Sequence, residues 1–279
     1  MKMSYPIEKT VNARHSVRSY QKRSIPSEEK EKIRNYITGL TNPFSVDVSF
    51  QLLGNNPAET GEKLGTYGVI KGASDYVGAS VAPCDLGLEA LGYSFEQLIL
   101  YLTSLGFGTC WLGGTFDRSA FAAAMKLKEG DLFPVISPIG YPQEKRRMID
   151  SVTRWIAKSD QRLEWQDLFF KEDFSHSLTP AEAGDYAFPL EMLRLAPSAV
   201  NKQPWRIVQD QRGYHFYEAQ SMKKNKFGID IQRTDIGIGA CHFHLAALER
   251  DLSGKFVSQT NPGIQTPEQM CYLFSWIVE

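Results

Sequence analysis

The sequence has no excess of charge of either sign. Its 31 lysine and arginine residues are balanced by 32 aspartate and glutamate residues, and the formal net charge is −1. This balance argues against a chain that binds nucleic acid or an anionic membrane through its overall charge. Long hydrophobic runs are also missing, since no stretch approaches the roughly 18 apolar residues that span a bilayer. We therefore expect no nucleic-acid partner and no membrane association.

Cysteine is scarce as well. Cys84, Cys110, Cys241 and Cys271 lie far apart in the chain, and no two of them form a CxxC pair. This spacing indicates buried, reduced thiols rather than disulfides. No apolar run follows the N-terminal MKMSYPIEKT, so we expect no secretory signal and a cytoplasmic protein. Hydrophobic residues make up 42% of the chain, which predicts a globular protein with a sizeable core.

Several catalytic patterns are also missing. The chain has no P-loop, no Ser-His-Asp order and no evident pair of catalytic carboxylates. His242 and His244 are two positions apart, which on a helix places them on different faces, and no carboxylate or thiol completes a ligand set. We predict packing roles for both histidines and no metal site. Trp205 is expected to pack in the core, and Cys110 is not expected to be a reactive thiol.

Periodicity and turn residues predict alternating helices and strands. A helix capped by Ser27 follows Pro26, a strand covers about Val48–Leu53, and a long helix covers about Leu86–Leu105. Further along the chain, YVGASVAP and FPVISPIGY have strand character, and SAFAAAMKL predicts a short helix.

The chain resembles itself when it is displaced by about 154 residues, which brings Tyr20 onto Phe174. At nearly this offset SIPSEE falls near SLTPAE, and NPFSVDVSFQLL falls on APSAVNKQPWRIV after one gap. The apolar helix that ends at LGFG has a counterpart in ACHFHLAALERDLSGKF. Matches in the same order predict an internal duplication. We expect a first repeat over residues 1–163 and a second, more degenerate repeat over residues 164–279.

The two copies keep different polar residues. At the same offset, the first copy has two arginines and a serine, and the second has two apolar residues and a glutamate: Arg14, Ser16 and Arg18 against Leu168, Phe170 and Glu172. The reverse holds in a later loop, with Ser198 and Asn201 in the second copy against Phe44 and Asp47 in the first. Halves that complement each other in this way predict one shared site at their interface.

The residue types in this shared site suit three parts of one ligand. The guanidinium forks and hydroxyl of RHSVR suit a phosphate. The glycines of GFGTCWLGG let the backbone approach a flat ring and donate to its heteroatoms. The hydroxyl and amide of PSAVN suit a polyol or ring carbonyls. A phosphate, a polyol and a flat heterocycle together describe FMN.

The segments RHSVRSY, APSAVNKQPW, LGFGTCWLGG and IGYP together resemble the motifs of the nitroreductase family of FMN flavoproteins. Members of that family are homodimers with the flavin at the dimer interface, and the PSxxN loop comes from the partner subunit. Because this chain carries that loop in its own second half, it resembles a fused, single-chain member. The resemblance implies an α+β fold of mixed, mainly antiparallel sheets flanked by helices, with two repeats forming a pseudo-dimer. It also implies one FMN per chain and no obligate homodimer, so a monomer is expected.

The resemblance also implies which residues contact the ligands. Those expected to bind FMN are Arg14, His15, Ser16, Arg18, Trp111, Leu112, Gly113, Gly114, Lys158, Arg162, Pro197, Ser198, Ala199 and Asn201. A backbone N–H of the Trp111–Gly114 segment is expected near the flavin N5. Those expected on the substrate side are Tyr67, Ile70 and Lys71.

The implied activity is two-electron transfer by a ping-pong mechanism. NADH or NADPH passes hydride to the flavin N5, and a nitroaromatic, quinone or similar small acceptor is then reduced in the same pocket. No side chain is expected to act as a catalytic acid or base. Two alternatives stay open, namely a flavin-binding or storage protein with little turnover, and another flavin reaction such as reductive dehalogenation or flavin fragmentation.

Overall fold

The computed structural model describes residues 5–54, 61–143, 161–225, 227–258 and 262–279. Within these ranges the helices are α1 (Ile7–Ala13), α2 (Ser27–Thr38), α3 (Gly87–Ser104), α4 (Arg118–Met125), α5 (Pro180–Ala183), α6 (Ala187–Arg194) and α7 (Ile231–Glu249). The strands are β1 (Val48–Gly54), β2 (Asp75–Val81), β3 (Gly108–Thr109), β4 (Leu132–Gly140), β5 (Phe169–Lys171), β6 (Trp205–Gln209), β7 (Gly213–Ala219), β8 (Gly254–Val257) and β9 (Met270–Val278).

The strands form two sheets with closely related topology. The first sheet has the order β1-β2-β4-β3, and all its neighbours are antiparallel. The second has the order β5-β6-β7-β9-β8, in which only β5 and β6 are parallel. Without β5 the two orders are the same, and in each a long helix, α3 or α7, connects the second strand to the third. These sheets and helices confirm the predicted α+β class with mainly antiparallel sheets.

The register of the strands agrees between the two sheets. In the first sheet Tyr76 of β2 lies opposite Pro138 of β4, and in the second Tyr214 of β7 lies opposite Trp276 of β9. The displacement along the chain is the same for both members of the pair (214 − 76 and 276 − 138). Both strand pairs also carry a register shift, next to Ala79 in one and next to Phe216 in the other.

Strands β1 and β6, which occupy equivalent places in the two sheets, show how the loops that precede them align with each other. Leu53 and Gln209 lie opposite the equivalent tyrosines of β2 and β7. Counting back along the chain from these two residues matches Asn201 with Ser45. Both residues have left-handed backbone conformations, with φ of 57° and 55°.

This register differs from the sequence match between the two segments. It places Asn42 and Ser45 at the positions of Ser198 and Asn201, which the sequence match assigns to Phe44 and Asp47. The sequence match differs because an offset near 154 cannot follow the unequal lengths of the connections between the strands.

The long helices α3 and α7 pack against each other through glycine. A β-carbon on Gly92 would lie 2.0 Å from the carbonyl oxygen of Thr234, and one on Gly237 would lie 2.0 Å from that of Glu89. The two contacts are reciprocal, because the separation along the chain is the same for both (237 − 92 and 234 − 89). Reciprocal contacts of this kind are typical of an interface between two copies related by a two-fold axis.

Hydrophobic clusters cover both faces of the first sheet, and a larger cluster covers a face of the second sheet. Along β2, Tyr76 packs on the side of α4 while Val77 and Ala79 pack on the side of α2 and α3, as the two-residue period of a strand requires. The largest cluster joins α7 and the second sheet, and it includes Ile7 and Val11 of α1. The N-terminal helix therefore packs across the boundary between the halves.

Two details of the fold differ from the sequence expectations. Ser27 does not cap α2, because the helix already includes Ser27 and the preceding Pro26 offers no side-chain acceptor. Cys84 is exposed and Cys271 is half-buried, whereas Cys110 and Cys241 are buried as expected. Among the described residues, no helix combines the length and apolar character that crossing a membrane requires.

Candidate functional site

The RHSVR segment runs in extended conformation between two other segments of the first half, one at Thr109 in the glycine-containing turn and one at Lys71. The Val17 N–H donates to the carbonyl oxygen of Thr109 at 2.8 Å. On the other side, the Lys71 N–H donates to the carbonyl oxygen of Arg18 at 2.9 Å, and the Tyr20 N–H donates to that of Lys71 at 2.8 Å. The segment thus brings the cationic motif into contact with the start of the glycine-containing turn.

Polar side chains of this segment lie close enough to Cys110 to affect its thiol. Burial raises the pKa of the Cys110 thiol, while Arg18, the Ser16 hydroxyl and Arg14 act in the opposite direction. Arg14 follows α1, and its buried Nε has no hydrogen-bond partner among the described residues. A buried donor without an acceptor costs about 1–3 kcal/mol, so an anionic ligand oxygen here would be stabilising. His15 is exposed and donates from Nδ1 to the Ala13 carbonyl at 3.0 Å.

The predicted ring-contacting turn divides into an anchored part and an open part. Leu112 is buried, and its N–H and carbonyl pair with Ile136 of β4 at 2.9 and 3.0 Å. That N–H is therefore not available to a ligand. The N–H groups of Gly113 and Gly114 donate to no described residue, and a β-carbon on Gly114 would have no atom within 4 Å. Gly113 and Gly114 therefore supply the backbone N–H groups that this turn can offer to a ligand.

Trp111 anchors the same turn from the opposite side. Its indole Nε1 donates to the Glu96 carboxylate at 2.7 Å, and its ring makes an edge contact with Phe95 at 4.7 Å between centroids. The indole thus points towards α3, and the backbone is the part of Trp111 that faces the turn. Next to it, a β-carbon on Gly113 would be 3.6 Å from Ile231, the first residue of α7. This contact brings the turn to the second half of the chain.

The PSAVN loop is held in shape by its own polar groups. The Ser198 hydroxyl oxygen accepts from the Gln203 N–H at 2.8 Å. The Ala199 N–H donates to both oxygens of the buried Asp235 on α7, at 3.0 and 3.1 Å, and burial raises the pKa of that carboxyl well above its usual range. Val200 is 60% exposed and has φ of 44°, an unusual backbone conformation for a β-branched residue.

Asn201 joins this loop to a further cation of the candidate site. Its side-chain oxygen accepts from Arg162 at 3.3 Å, and its Nδ2 donates to the carbonyl of Gln161 at 2.7 Å. Arg162 also donates to the carbonyl of Leu195 at 3.0 Å, and Pro197 is half-buried nearby in the chain. The structure therefore brings Arg162 together with the PSAVN loop. Lys158, the other predicted phosphate ligand, lies outside the described residues.

The three residues expected on the substrate side are in different environments. Tyr67 is 72% exposed, with φ of 49°. Ile70 is buried in the core and lines a cleft of about 370 Å³ together with Lys22, Arg23 and other residues. Lys71 is exposed, and its backbone pairs with the RHSVR segment. Of the three, Lys71 is the one that lies directly beside the cationic motif.

Sequence reasoning did not identify Glu96, Asp235 or Ile231, each of which connects a predicted motif to a long helix. The sequence feature that could have identified the two carboxylates is a charged residue inside an otherwise apolar helix, as in SFEQLILYL around Glu96 and TDIGIG around Asp235. Both carboxylates are buried. Among the described residues, no cluster of histidine, cysteine, aspartate and glutamate is arranged to hold a metal ion.

Comparisons with known proteins show the family and the fold of the chain. The model of a family described as "Putative TM nitroreductase" matches residues 6–247. A structure from Thermotoga maritima, described as a "putative nitroreductase", is similar over 100% of this chain and 96% of its own, with 20% identity and a TM-score of 0.63. A nitroreductase with bound FMN from Bacteroides fragilis matches 53% of this chain and 94% of its own, with 20% identity and a TM-score of 0.41.

A third solved structure, an FMN-dependent nitroreductase from Clostridium difficile, matches 52% of this chain and 92% of its own, with 17% identity and a TM-score of 0.41. No curated protein matches the chain. The Thermotoga maritima structure shows the fold, and the family match extends over most of the sequence, including RHSVR, the glycine turn and PSAVN. The chain is therefore an enzyme that belongs to the nitroreductase family.

Proposed function

We propose that the chain is an FMN-dependent oxidoreductase that takes electrons from NADH or NADPH and passes them to a nitroaromatic, a quinone or a similar small acceptor. The observation that carries this proposal is the environment of Arg14. Its buried Nε lacks a partner among the described residues, in the same cluster as Ser16 and Arg18. The adjoining turn offers the N–H groups of Gly113 and Gly114, which donate to no residue that the structure describes. An anionic group attached to a flat, acceptor-rich ring fits this arrangement.

Each group has a defined role in this proposal. When bound, FMN supplies the two-electron chemistry by accepting hydride from the nicotinamide and passing it on to the second substrate. Arg14, Ser16 and Arg18 bind the phosphate and the polar edge of the cofactor, and the two glycine N–H groups donate to its ring. The PSAVN loop covers the ring from the second half. We assign no acid or base role to a side chain.

We further propose that residues 1–163 and 164–279 are two repeats that share this single site, which makes the chain a pseudo-dimer and a monomer in solution. The common strand order and the reciprocal glycine contacts support the duplication. Helix α7 supports the sharing, because Ile231 lies beside Gly113 while Asp235, one turn further on, holds the PSAVN loop.

The stoichiometry of one FMN per chain is supported by the region that would form a second, symmetry-related site. By strand register, Phe44 occupies the position of Val200, and Phe256 occupies that of Cys110. The Phe44 ring packs 5.7 Å from that of Phe256 and 5.0 Å from that of Phe274. Three aromatic rings thus fill the space where the proposed site has smaller side chains.

The test is to change one residue from each half. Arg14→Glu and Asn201→Ala should each weaken FMN binding, and the charge reversal should have the larger effect because it places a carboxylate beside a phosphate. Arg34→Glu on the exposed face of α2 is the matched control. Undiminished flavin content in both site variants would contradict a shared site. A flavin-loaded protein that does not oxidise NADH or NADPH would favour a storage role, and dehalogenated or flavin-fragment products would identify another flavin reaction.

A further inference from the structure

A chain of hydrogen bonds connects the glycine turn to the second half of the molecule. Glu96 of α3 accepts from the Trp111 indole at Oε2, over 2.7 Å, and its Oε1 lies 2.9 Å from Nε2 of His242 on α7. The other ring nitrogen of His242 lies 2.9 Å from the carbonyl oxygen of Met192 on α6. Glu96 and His242 are both fully buried. The bonds therefore lie between the two halves, away from solvent.

The partners of His242 fix the number of protons in this chain of bonds. The Met192 carbonyl can only accept, so Nδ1 of His242 carries a proton. The short contact between Nε2 and Glu96 then requires one more proton, held by either the imidazole or the carboxyl. In both arrangements the pair has no net charge and all its polar atoms in the contacts are satisfied. Such a pair avoids the large cost of a lone buried charge.

We propose that Glu96 and His242 are positioning residues of the flavin site, which act through Trp111 on the turn at Gly113 and Gly114. This inference rests on the proposed function. Two consecutive residues hold that turn in opposite directions, with Leu112 paired to β4 and the Trp111 indole bonded to Glu96. On the carbonyl side, Arg118 donates to Gly113 at 3.0 Å. Without the bond to Glu96, the turn keeps these contacts at Leu112 and Gly113 but loses the anchor at Trp111, and the two glycine N–H groups are less well directed.

A pair of substitutions separates positioning from charge. In Glu96→Gln, the amide oxygen still accepts from Trp111, and the amide N–H donates to His242 with Nδ1 still bonded to Met192. Every hydrogen bond is kept while the shared proton is removed. In Glu96→Leu, the volume is similar but no hydrogen bond remains. Glu96→Gln should therefore behave as the parent protein, and Glu96→Leu should not.

The first experiment uses the flavin-free protein. The indole N–H signal of Trp111, identified by its loss in Trp111→Phe, is followed in a ¹⁵N-tryptophan NMR spectrum. It should move in Glu96→Leu and stay close to its parent position in Glu96→Gln, because only the leucine variant removes the acceptor. A signal that does not move in Glu96→Leu would show that the bond to Glu96 does not form in solution and would overturn the inference.

The second experiment measures FMN binding and the visible circular dichroism of the bound flavin. We expect Glu96→Gln to bind within about twofold of the parent protein. Glu96→Leu should bind about tenfold more weakly, the loss expected when one glycine N–H no longer donates to the ring. The visible circular dichroism should change in Glu96→Leu, because it reports the surroundings of the flavin. Thermal unfolding of each variant shows whether it is folded under the conditions used.

The outcomes distinguish this inference from the proposed function. If the parent protein binds no FMN, the proposed function fails, while the indole spectra still report on the hydrogen bond. If Glu96→Leu binds FMN like the parent protein, with the same visible circular dichroism, the bonds are only structural and the inference is wrong. If Glu96→Leu does not fold, FMN binding and visible circular dichroism are measured in Trp111→Phe, since phenylalanine removes the indole donor and leaves the bond between Glu96 and His242 in place.

Discussion

The close crossing of α3 and α7 predicts that alanine is poorly tolerated at either of its two glycines. A β-carbon at Gly92 or Gly237 would lie 2.0 Å from a backbone carbonyl oxygen of the other helix. Ordinary van der Waals contact needs about 3.5 Å, so the helices would have to separate by roughly 1.5 Å. A carbonyl oxygen in a helix cannot rotate away as a side chain does.

The expected cost follows from two opposing effects. Inserting one methyl group into a tightly packed interior costs about 1–3 kcal/mol, and contact with backbone on the opposite helix places this case at about 3 kcal/mol. Alanine in a helix is about 1 kcal/mol more favourable than glycine, which offsets part of that cost. Each substitution should therefore lower the free energy of unfolding by about 2 kcal/mol. That corresponds to a fall of about 4–8 °C in the melting temperature of a domain of this size.

Urea and thermal unfolding measure this effect, and Gly239→Ala on α7 is the matched control. The nearest atom to a β-carbon at Gly239 is in the Trp205 ring, at 3.3 Å, so that a small shift of a side chain accommodates it. Gly92→Ala and Gly237→Ala should have equal costs, and the double variant should cost less than their sum, because one separation of the helices relieves both contacts. Single variants as stable as the parent protein would refute the close crossing, and unequal costs would refute its symmetry.

Three further predictions concern single side chains. Burial raises the pKa of Glu218 to about 7, so the folded state binds a proton that the unfolded state releases, and stability should decline from pH 5 to pH 8. Glu218→Gln should remove on the order of 2 kcal/mol of that decline in urea unfolding, and an unchanged pH profile would contradict it. Phe44→Ala should lower the free energy of unfolding by about 3 kcal/mol by removing a packed ring, with an unchanged ratio of FMN to protein because Phe256 and Phe274 remain in place; stability equal to that of the parent protein would contradict this packing. Val200→Gly should raise the free energy of unfolding by about 1 kcal/mol because φ there is 44°, and a loss of stability would show that the loop is not strained.

Local patterns were sufficient to predict most of the regular elements. The strand expected at Val48–Leu53 is observed at Val48–Gly54, and the helix expected at Leu86–Leu105 is observed at Gly87–Ser104. Both segments have strong periodicity and clear turn residues at their ends, so their local preferences agree with the tertiary structure. The repeated order of the sheets also follows the order of the matches within the sequence.

The partners of individual side chains could not be predicted in this way. The bond between Glu96 and His242 joins residues from different halves, and it depends on how closely α3 and α7 approach each other. Ser198 has the hydroxyl that a polyol would need, but its oxygen accepts from Gln203 because the loop adopts left-handed backbone conformations. The addition of β5 to β6 in parallel likewise depends on chain crossing rather than on the three residues of β5. These features arise from tertiary geometry that residue patterns do not encode.

The most direct test of the central claim is the number of FMN molecules bound per chain. The purified protein is saturated with FMN, freed of excess cofactor and denatured, and the released flavin is measured by absorbance against protein concentration. Two complementary halves that share one site predict a ratio of about one in a protein that light scattering shows to be monomeric. A ratio of two would show that the aromatic cluster around Phe44 leaves the second site open, and a ratio of zero would contradict the proposed function.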